Sequence, residues 1–299
     1  MGIKSTLLNI YDKQYKSLMI LTIVLLILAI GVLASNYVRT GEFVQKGVSL
    51  KGGITLTVYT SQEINIDALR ENLLAQLPKA DIEIRRLTEA GKLKSIIIEA
   101  SDTEEDQLKQ AVTNSGIIQL VEDEYTIESM GSTLGNTFFQ QTIIAIIIAF
   151  LAMGIVVLIT FRSLVPSLFV ILAATSDILC TLATVSLLGM KLTTAGVAAF
   201  LMLIGYSVDT DILLTTKVLR RKEGTVFHRI IGAMKTGMTM SITSFIAVTV
   251  AYVFTSSDVI KQIMAIILIG LFFDMLNTWI QNTGILRWYL EKKEKRRHE

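Results

Sequence analysis

Apolar residues in this chain gather into long runs parted by short polar loops, with one exception. The runs end near 17–35, 140–160, 164–188, 194–216, 236–255 and 260–286. Each approaches or exceeds the roughly 20 residues a helix needs to cross a hydrocarbon core of ~30 Å. The first run reads as a span, not a cleaved leader, because its apolar core, 18–33, outlasts the h-region of a typical signal peptide. The exception is the polar stretch 36–139, where the period of the pattern changes.

Within it, "GITLTVY" (53–59) alternates apolar and polar, as a half-buried strand does. "IDALRENLLAQL" (66–77) has helical spacing and stops before Pro78, which disfavours helical geometry in its predecessor. "IEIRRL" and "KLKSIIIEA" read as strands joined by "TEAG", a short glycine-containing hairpin turn. "SDTEEDQLKQAVTNSG" carries helix punctuation: Ser101 stands three before Glu104 as a capping box, and Gly116 lies just past the end. "IIQLV" (117–121) supplies a last strand. The order β-α-β-β-α-β is that of a ferredoxin-like split sandwich. Gly52 and Gly53 suit a bulge or a close backbone approach at the first strand.

The fold class is therefore an α-helical polytopic membrane protein of six transmembrane helices with an α+β ferredoxin-like extracytoplasmic domain. Composition agrees: 52% of residues are hydrophobic, 18% are charged, only two are proline, and the mean hydropathy is +0.56. The lone Cys180 excludes an intrachain disulfide. The net charge of +2 matters less than its placement. Lys4, Lys13 and Lys16 precede the first span, Arg162 follows the second, and Lys217, Arg220, Arg221, Lys222 and Arg229 lie between the fourth and fifth. "EKKEKRRHE" closes the chain, whereas the opposite short loops hold Lys191 and Lys261. The positive-inside rule then puts both termini in the cytoplasm of a multi-pass plasma-membrane protein. The expected divisions are 1–35, 36–139 outside, 140–288 for the remaining spans, and a basic tail at 289–299. That tail reads as an orientation signal, and no nucleic acid is implied.

The outer domain has no His–Cys cluster, no Ser–His pairing and no P-loop, so it reads as a docking module and the chain is not an enzyme. Chemistry is instead concentrated inside the spans. Asp177 lies in the third, Asp209 and Asp211 in the fourth, and Asp274 in the sixth. A charged group at that depth costs at least ~2.5–3.5 kcal/mol and marks a functional site by default. Asp177 is followed at helical spacing by Thr181 and Thr184, and Asp274 by Asn277, Thr278, Gln281 and Asn282. Lys235, at the cytoplasmic start of the fifth span, leads to Thr239 and Thr243. Spans three to six are therefore expected to turn one polar seam inward, with the first two as apolar anchors. Asp209 and Asp211 stand ~200° apart on a helix and cannot share that seam. Gly205, one turn before Asp209, allows close helix approach and points to Asp209 as the inward acid. Asp211, with Ser207 and Thr215, is then expected to face a partner helix or the headgroups. A carboxyl that gains and loses a proton at depth is what a proton-driven device needs. No metal or organic cofactor is implied.

"GVSLKGGITLTVYT", "YTIESMGSTLGNTFFQQ" and "LIGYSVDTDILLTTKVLRRKEG", together with the split sandwich, resemble the SecF family of Sec protein-export subunits, nearer its archaeal than its bacterial form. The SecD/SecF family belongs to the RND superfamily, and Gly205 with Asp209 matches its Gly-x-x-x-Asp element in span four. The resemblance implies a SecD-like partner, the Sec translocon channel, an exported polypeptide and, as in bacterial relatives, coupling to a proton gradient. Two departures stand out. Bacterial forms place an acid where this chain has Thr210, and an Arg-Thr pair where it has Lys235-Thr236. Asp274 aligns with no bacterial acid. The proton-coupling candidates are thus Asp209, Asp177, Asp274, Lys235 and Asp211, with Gly205 and Ser207 as packing positions. The rival readings are a self-sufficient RND-type exporter of small molecules and a scaffold of the translocon that conducts nothing.

Overall fold

The computed structural model describes residues 11–89, 92–122, 124–220, 224–255 and 257–298. Among these residues, six helices are long and apolar enough to cross a membrane. They are α1 (Tyr15–Thr40), α5 (Ser132–Phe161), α6 (Leu164–Leu187), α7 (Thr194–Arg220), α8 (Val226–Phe254) and a sixth unit in three parts. That unit is α9 (Asp258–Leu276), a π-helical turn (Asn277–Asn282) and α10 (Thr283–His298). Between α1 and α5 come a short helix α2 (Val48–Lys51), β1 (Gly53–Tyr59), α3 (Ile66–Gln76), β2 (Asp81–Glu89), β3 (Lys92–Ser101), α4 (Glu105–Asn114) and β4 (Tyr125–Met130).

The strands form one antiparallel sheet in the order β2-β3-β1-β4, the split βαβ arrangement. Period-two alternation puts Ile54, Leu56 and Val58 of β1 on one face, opposite Ile96, Ile98 and Ala100 of β3. Leu69 and Leu73 of α3 and Leu108, Ala111 and Val112 of α4 cover that face. Burying each such leucine or isoleucine contributes about 1.5–3 kcal/mol, so this cluster is the sandwich's own core.

Two sequence expectations fail here. The run 117–121 is not a strand. Ile118 is buried and Ile117 and Leu120 pack against the same core, so the segment fills space under the sheet while Tyr125–Met130 takes the edge. The second helix is capped by Glu104, in a box with Gln107, and not by Ser101, which ends β3. Gly116 does sit past that helix with φ 64°, as the punctuation suggests. The expected hairpin turn at Ala90 and Gly91 lies outside the described residues.

Helix ends also run past the apolar runs. α5 begins at Ser132, directly after β4, and α8 at Val226. Hydropathy marks where lipid begins, whereas an established helix extends at little cost into polar sequence. The sandwich is seated on the membrane ends through backbone. Gly47 N–H donates to Leu192 O (2.8 Å) and Leu192 N–H to Gln45 O (2.7 Å), a parallel bridge between the linker and the α6–α7 loop. A Cβ on Gly135 of α5 would lie 2.5 Å from the Gly52 nitrogen. That is the close backbone approach foreseen at Gly52, which has φ 88°.

Candidate functional site

α7 runs through the middle of the bundle, with α5, α6, α8 and α9 around it. Its buried stripe takes in Leu203, Ser207, Thr210, Asp211, Leu214, Thr215 and Val218. Asp211 is therefore inside, at 0% exposure, and Asp209 is on the outer surface of the chain. This reverses the sequence expectation. The ~200° between the two positions holds, but the glycine next to Asp209 marks no contact within this chain, because a Cβ on Gly205 would meet nothing within 4 Å. Met202 and Tyr206 share that open side, at 42% and 46% exposure.

The interior gathers three carboxyls from three spans: Asp177 (α6), Asp211 (α7) and Asp274 (α9), each at 0% exposure. Ser207 donates to Asp177 Oδ2, and Asn277 Nδ2 donates to Asp177 Oδ1 at 2.8 Å. Thr278 (2.9 Å) and Asn282 Nδ2 (2.7 Å) both donate to Asp211 Oδ1. The same Thr278 hydroxyl is 3.2 Å from Asp274 Oδ1. A hydroxyl owns one proton. If Thr278 gives it to Asp211, the bridge to Asp274 closes only with a proton on that carboxyl. Thr210 lies 3.5 Å from Asp274 Oδ2, and its hydroxyl also reaches Tyr206 O at 3.2 Å. Gln281 Nε2 donates to Ser176 Oγ (3.0 Å), tying the sixth unit to α6.

The π-helical turn explains how the sixth unit serves two helices at once. Its wider winding aims Asn277, Thr278, Gln281 and Asn282 into the bundle, all of them buried. The carbonyls that such a turn displaces are taken up: Thr283 donates to Thr278 O (3.1 Å), and Tyr11 OH to Trp279 O. Gly237 of α8 lets the Trp279 ring close against the backbone, a position no side chain could occupy unchanged.

The expected four-helix seam is thus a three-span seam. α8 buries only Ile230, Ala233, Gly237 and Ser241, and its polar stripe faces outward. Lys235 is exposed and makes no ion pair with these acids, and among the described residues no Lys or Arg pairs with Asp177, Asp211 or Asp274. Ser207, foreseen only as a packing position, is a donor to Asp177. Ser176 and the π-helical winding carried no sequence signal, whereas the stripe Asn277, Thr278, Gln281 and Asn282 does face inward as its spacing suggests. Among the described residues no grouping of His, Cys, Asp or Glu has the arrangement to hold a metal ion.

A family model described as protein export membrane protein SecD/SecF, C-terminal, matches residues 110–292. The protein-export membrane protein SecF of Pyrococcus furiosus is 35% identical over 294 residues, covering 98% of this chain and 97% of the relative. The protein of the same name from Methanolacinia petrolearia is 38% identical over 280 residues, 93% of this chain and 94% of the relative. Among solved structures, the translocon-associated membrane protein SecDF of Thermus thermophilus superposes with a TM-score of 0.70 at 16% identity. It matches 92% of this chain, which spans 38% of the SecDF chain. A SecDF structure in a super-membrane-facing form gives a TM-score of 0.60 at 18% identity, over 93% of this chain and 39% of its own.

Proposed function

Since the chain belongs to the SecD/SecF family of protein-export membrane proteins, we propose that it works with a SecD-like partner beside the Sec channel, using a proton gradient to promote outward movement of exported polypeptides. In this reading both termini are cytoplasmic and the sandwich stands outside, the placement favoured by basic residues such as Lys217 and Arg220 on one side.

One observation carries the proposal: three carboxyls from three spans meet in the bundle with neutral donors and no cation among the described residues. Three charges buried without counter-ions cost far more than a fold's net stability, so protons balance such a cluster. A proton count that changes by one also changes which bridges can form, because Thr278 serves two acids with one hydrogen. That ties protonation to the relative placement of α7 and α9. Asp177, Asp211 and Asp274 are the carriers in this scheme, and Asp209 is not.

Asp209 has a different task. Open on α7, like Lys235, Thr239 and Thr243 on α8, it would face lipid at a cost of ~2.5–3.5 kcal/mol unless another polar surface covered it. The SecD-like partner is assigned to that surface.

The test is export of a secreted reporter through the reconstituted channel, with the partner present and the gradient imposed or collapsed. Asp211→Asn and Asp274→Asn should lose the gradient-dependent gain while still binding the partner. Asp209→Asn should weaken copurification with it. Equal export in every condition, with assembly intact, would hand the cluster to a second reading. In that reading a scaffold uses its cross-helix hydrogen bonds only to fix packing, and the bonds from Asn277, Asn282 and Gln281 are also what such a scaffold would need.

A further inference from the structure

The carboxyl cluster and the sandwich sit at opposite ends of α9, and one side chain at its outer end holds the loop on which the sandwich is seated. Gln262 Oε1 accepts from the Thr193 hydroxyl at 2.5 Å, and Gln262 Nε2 donates to Lys191 O at 2.5 Å. Both polar ends of one amide are thereby spent on the α6–α7 loop. That loop is also where the sandwich is fastened. Lys191 Nζ pairs with Asp81 (2.9 Å) and Glu83 (3.4 Å) of β2, Leu192 forms the backbone bridge to the linker, and Thr194 N–H donates to Ser49 Oγ (3.2 Å).

Beside this joint the contact is open. A cleft of about 210 Å³ separates the sheet's uncovered face, at Glu83, Arg85 and Glu99, from the span ends at Tyr252, Lys261 and Ala265. The sheet is therefore held by the Lys191 ion pairs at its β2 margin and by the direct β4–α5 link at the other, with unpacked space over this face, an arrangement that lets the β2 margin swing about the β4–α5 link. Gln262 and Asp274 are 12 residues apart, ~18 Å along one helix. Helices move as stiff bodies when packed interfaces shift.

We infer that Gln262 is the positioning residue that grips the α6–α7 loop, so that displacement of α9 at the carboxyl cluster swings the sandwich's Lys191 margin about the β4–α5 link. This rests on the proton reading above and names the part that transmits it. Gln262 lies outside the cluster, and removing it leaves every hydrogen bond of Asp177, Asp211 and Asp274 in place.

The test uses the full chain assembled with its partner in proteoliposomes, in a Cys180→Ala background, with spin labels at Glu71 on α3 and Phe254 at the outer end of α8, both exposed. The label distance is followed between alkaline and acidic medium, beside gradient-driven export. Wild type should show a shift that Asp274→Asn abolishes. Gln262→Ala should abolish the same shift and cut the gradient-dependent gain about tenfold, the factor that ~1.4 kcal/mol represents. Two hydrogen bonds can supply that much. Gln262→Glu keeps the acceptor for Thr193 but loses the donor to Lys191 O, and should fall between. If Gln262→Ala keeps both the shift and the gain while Asp274→Asn loses them, the joint is wrong and the proton reading stands. If wild type shows no shift and Asp274→Asn changes nothing, both are wrong.

Discussion

Asp211→Asn changes charge while leaving the shape of the side chain almost untouched, so it separates the cost of a buried carboxyl from the worth of its hydrogen bonds. Asp211 Oδ1 accepts from Thr278 (2.9 Å) and Asn282 (2.7 Å), and asparagine retains that oxygen. Oδ2 is buried with no hydrogen-bond partner among the described residues, so the amide nitrogen that replaces it breaks no bond of this chain. Asparagine removes a buried charge that has no counter-ion, a relief of several kcal/mol, and sets against it one unpartnered amide nitrogen at about 1–3 kcal/mol. Asp211→Asn should therefore melt at or above the wild-type temperature.

Asp211→Ala should behave in the opposite way. It strands the Asn282 donor in a buried site at about 1–3 kcal/mol, while Thr278 loses its shorter bond and keeps only the 3.2 Å one to Asp274 Oδ1. With the void added, the loss is roughly 3–6 kcal/mol, a fall in melting temperature on the order of 10 °C for a chain of this size. Thermal unfolding of the full chain in lipid nanodiscs, followed by circular dichroism, reads both variants. Asparagine costing as much as alanine would mean that the site depends on the charge itself and overturn this expectation. A silent alanine would overturn it equally, since these hydrogen bonds would then hold nothing.

Two further outcomes are expected outside the cluster. Gly135→Ala places a Cβ 2.5 Å from Gly52 N and 2.8 Å from the Lys51 carbonyl carbon. The backbone there must shift at about 1–3 kcal/mol, and proteolysis of the 41–52 linker should quicken while the spans stay intact. For Glu99, burial pushes the carboxyl above its usual 4.5, and the adjacent Arg85 draws it only partly back. The folded state then holds that proton more tightly than the unfolded one. The resulting stability is full below 4.5 and is lost as pH rises through the folded value. Melting curves of Glu99→Gln against pH should lack that slope, and an unchanged slope would assign it to another group.

The six spans and the split sandwich were legible because both rest on patterns that tertiary packing seldom overturns: long apolar runs, and alternation between turns. What failed was the choice between faces. "IIQLV" has the composition of a strand, yet Ile118 is buried as filling for the sandwich core, and sequence alone does not separate a ladder from a plug. The stripe Lys235, Thr239 and Thr243 suggested an interior because threonines look polar. In the structure Thr239 donates to Lys235 O and Thr243 to Thr239 O, both at 2.8 Å, so each hydroxyl is satisfied within its own helix. Back-bonded threonines can face lipid at little cost and say nothing about where the interior lies. Asp274, Asn277, Gln281 and Asn282 cannot hide that way, since amides and carboxyls at this depth need partners on other helices. That stripe was the reliable one. On α7 the apolar companions Leu203, Leu214 and Val218 marked the Asp211 side as the packed one, while the glycine beside Asp209 pointed the other way.

With acids at 209 and 211, α7 must meet two different surroundings. Asp211 finds its donors inside the chain. Asp209, 11 residues from the end of α7 at Arg220 and so ~16 Å from it, finds none among the described residues. An acid facing lipid there costs the isolated chain ~2.5–3.5 kcal/mol. Relief of that cost by a polar partner surface would favour assembly by a factor of roughly 100. Asp209→Leu should consequently act with opposite signs in two measurements. The chain alone in bilayers should unfold at higher temperature, because a lipid-facing leucine replaces a lipid-facing acid. The complex with a SecD-like partner should dissociate more readily, because the partner's polar surface loses its counterpart. A variant that destabilises the isolated chain would place Asp209 against its own bundle and withdraw the assigned interface.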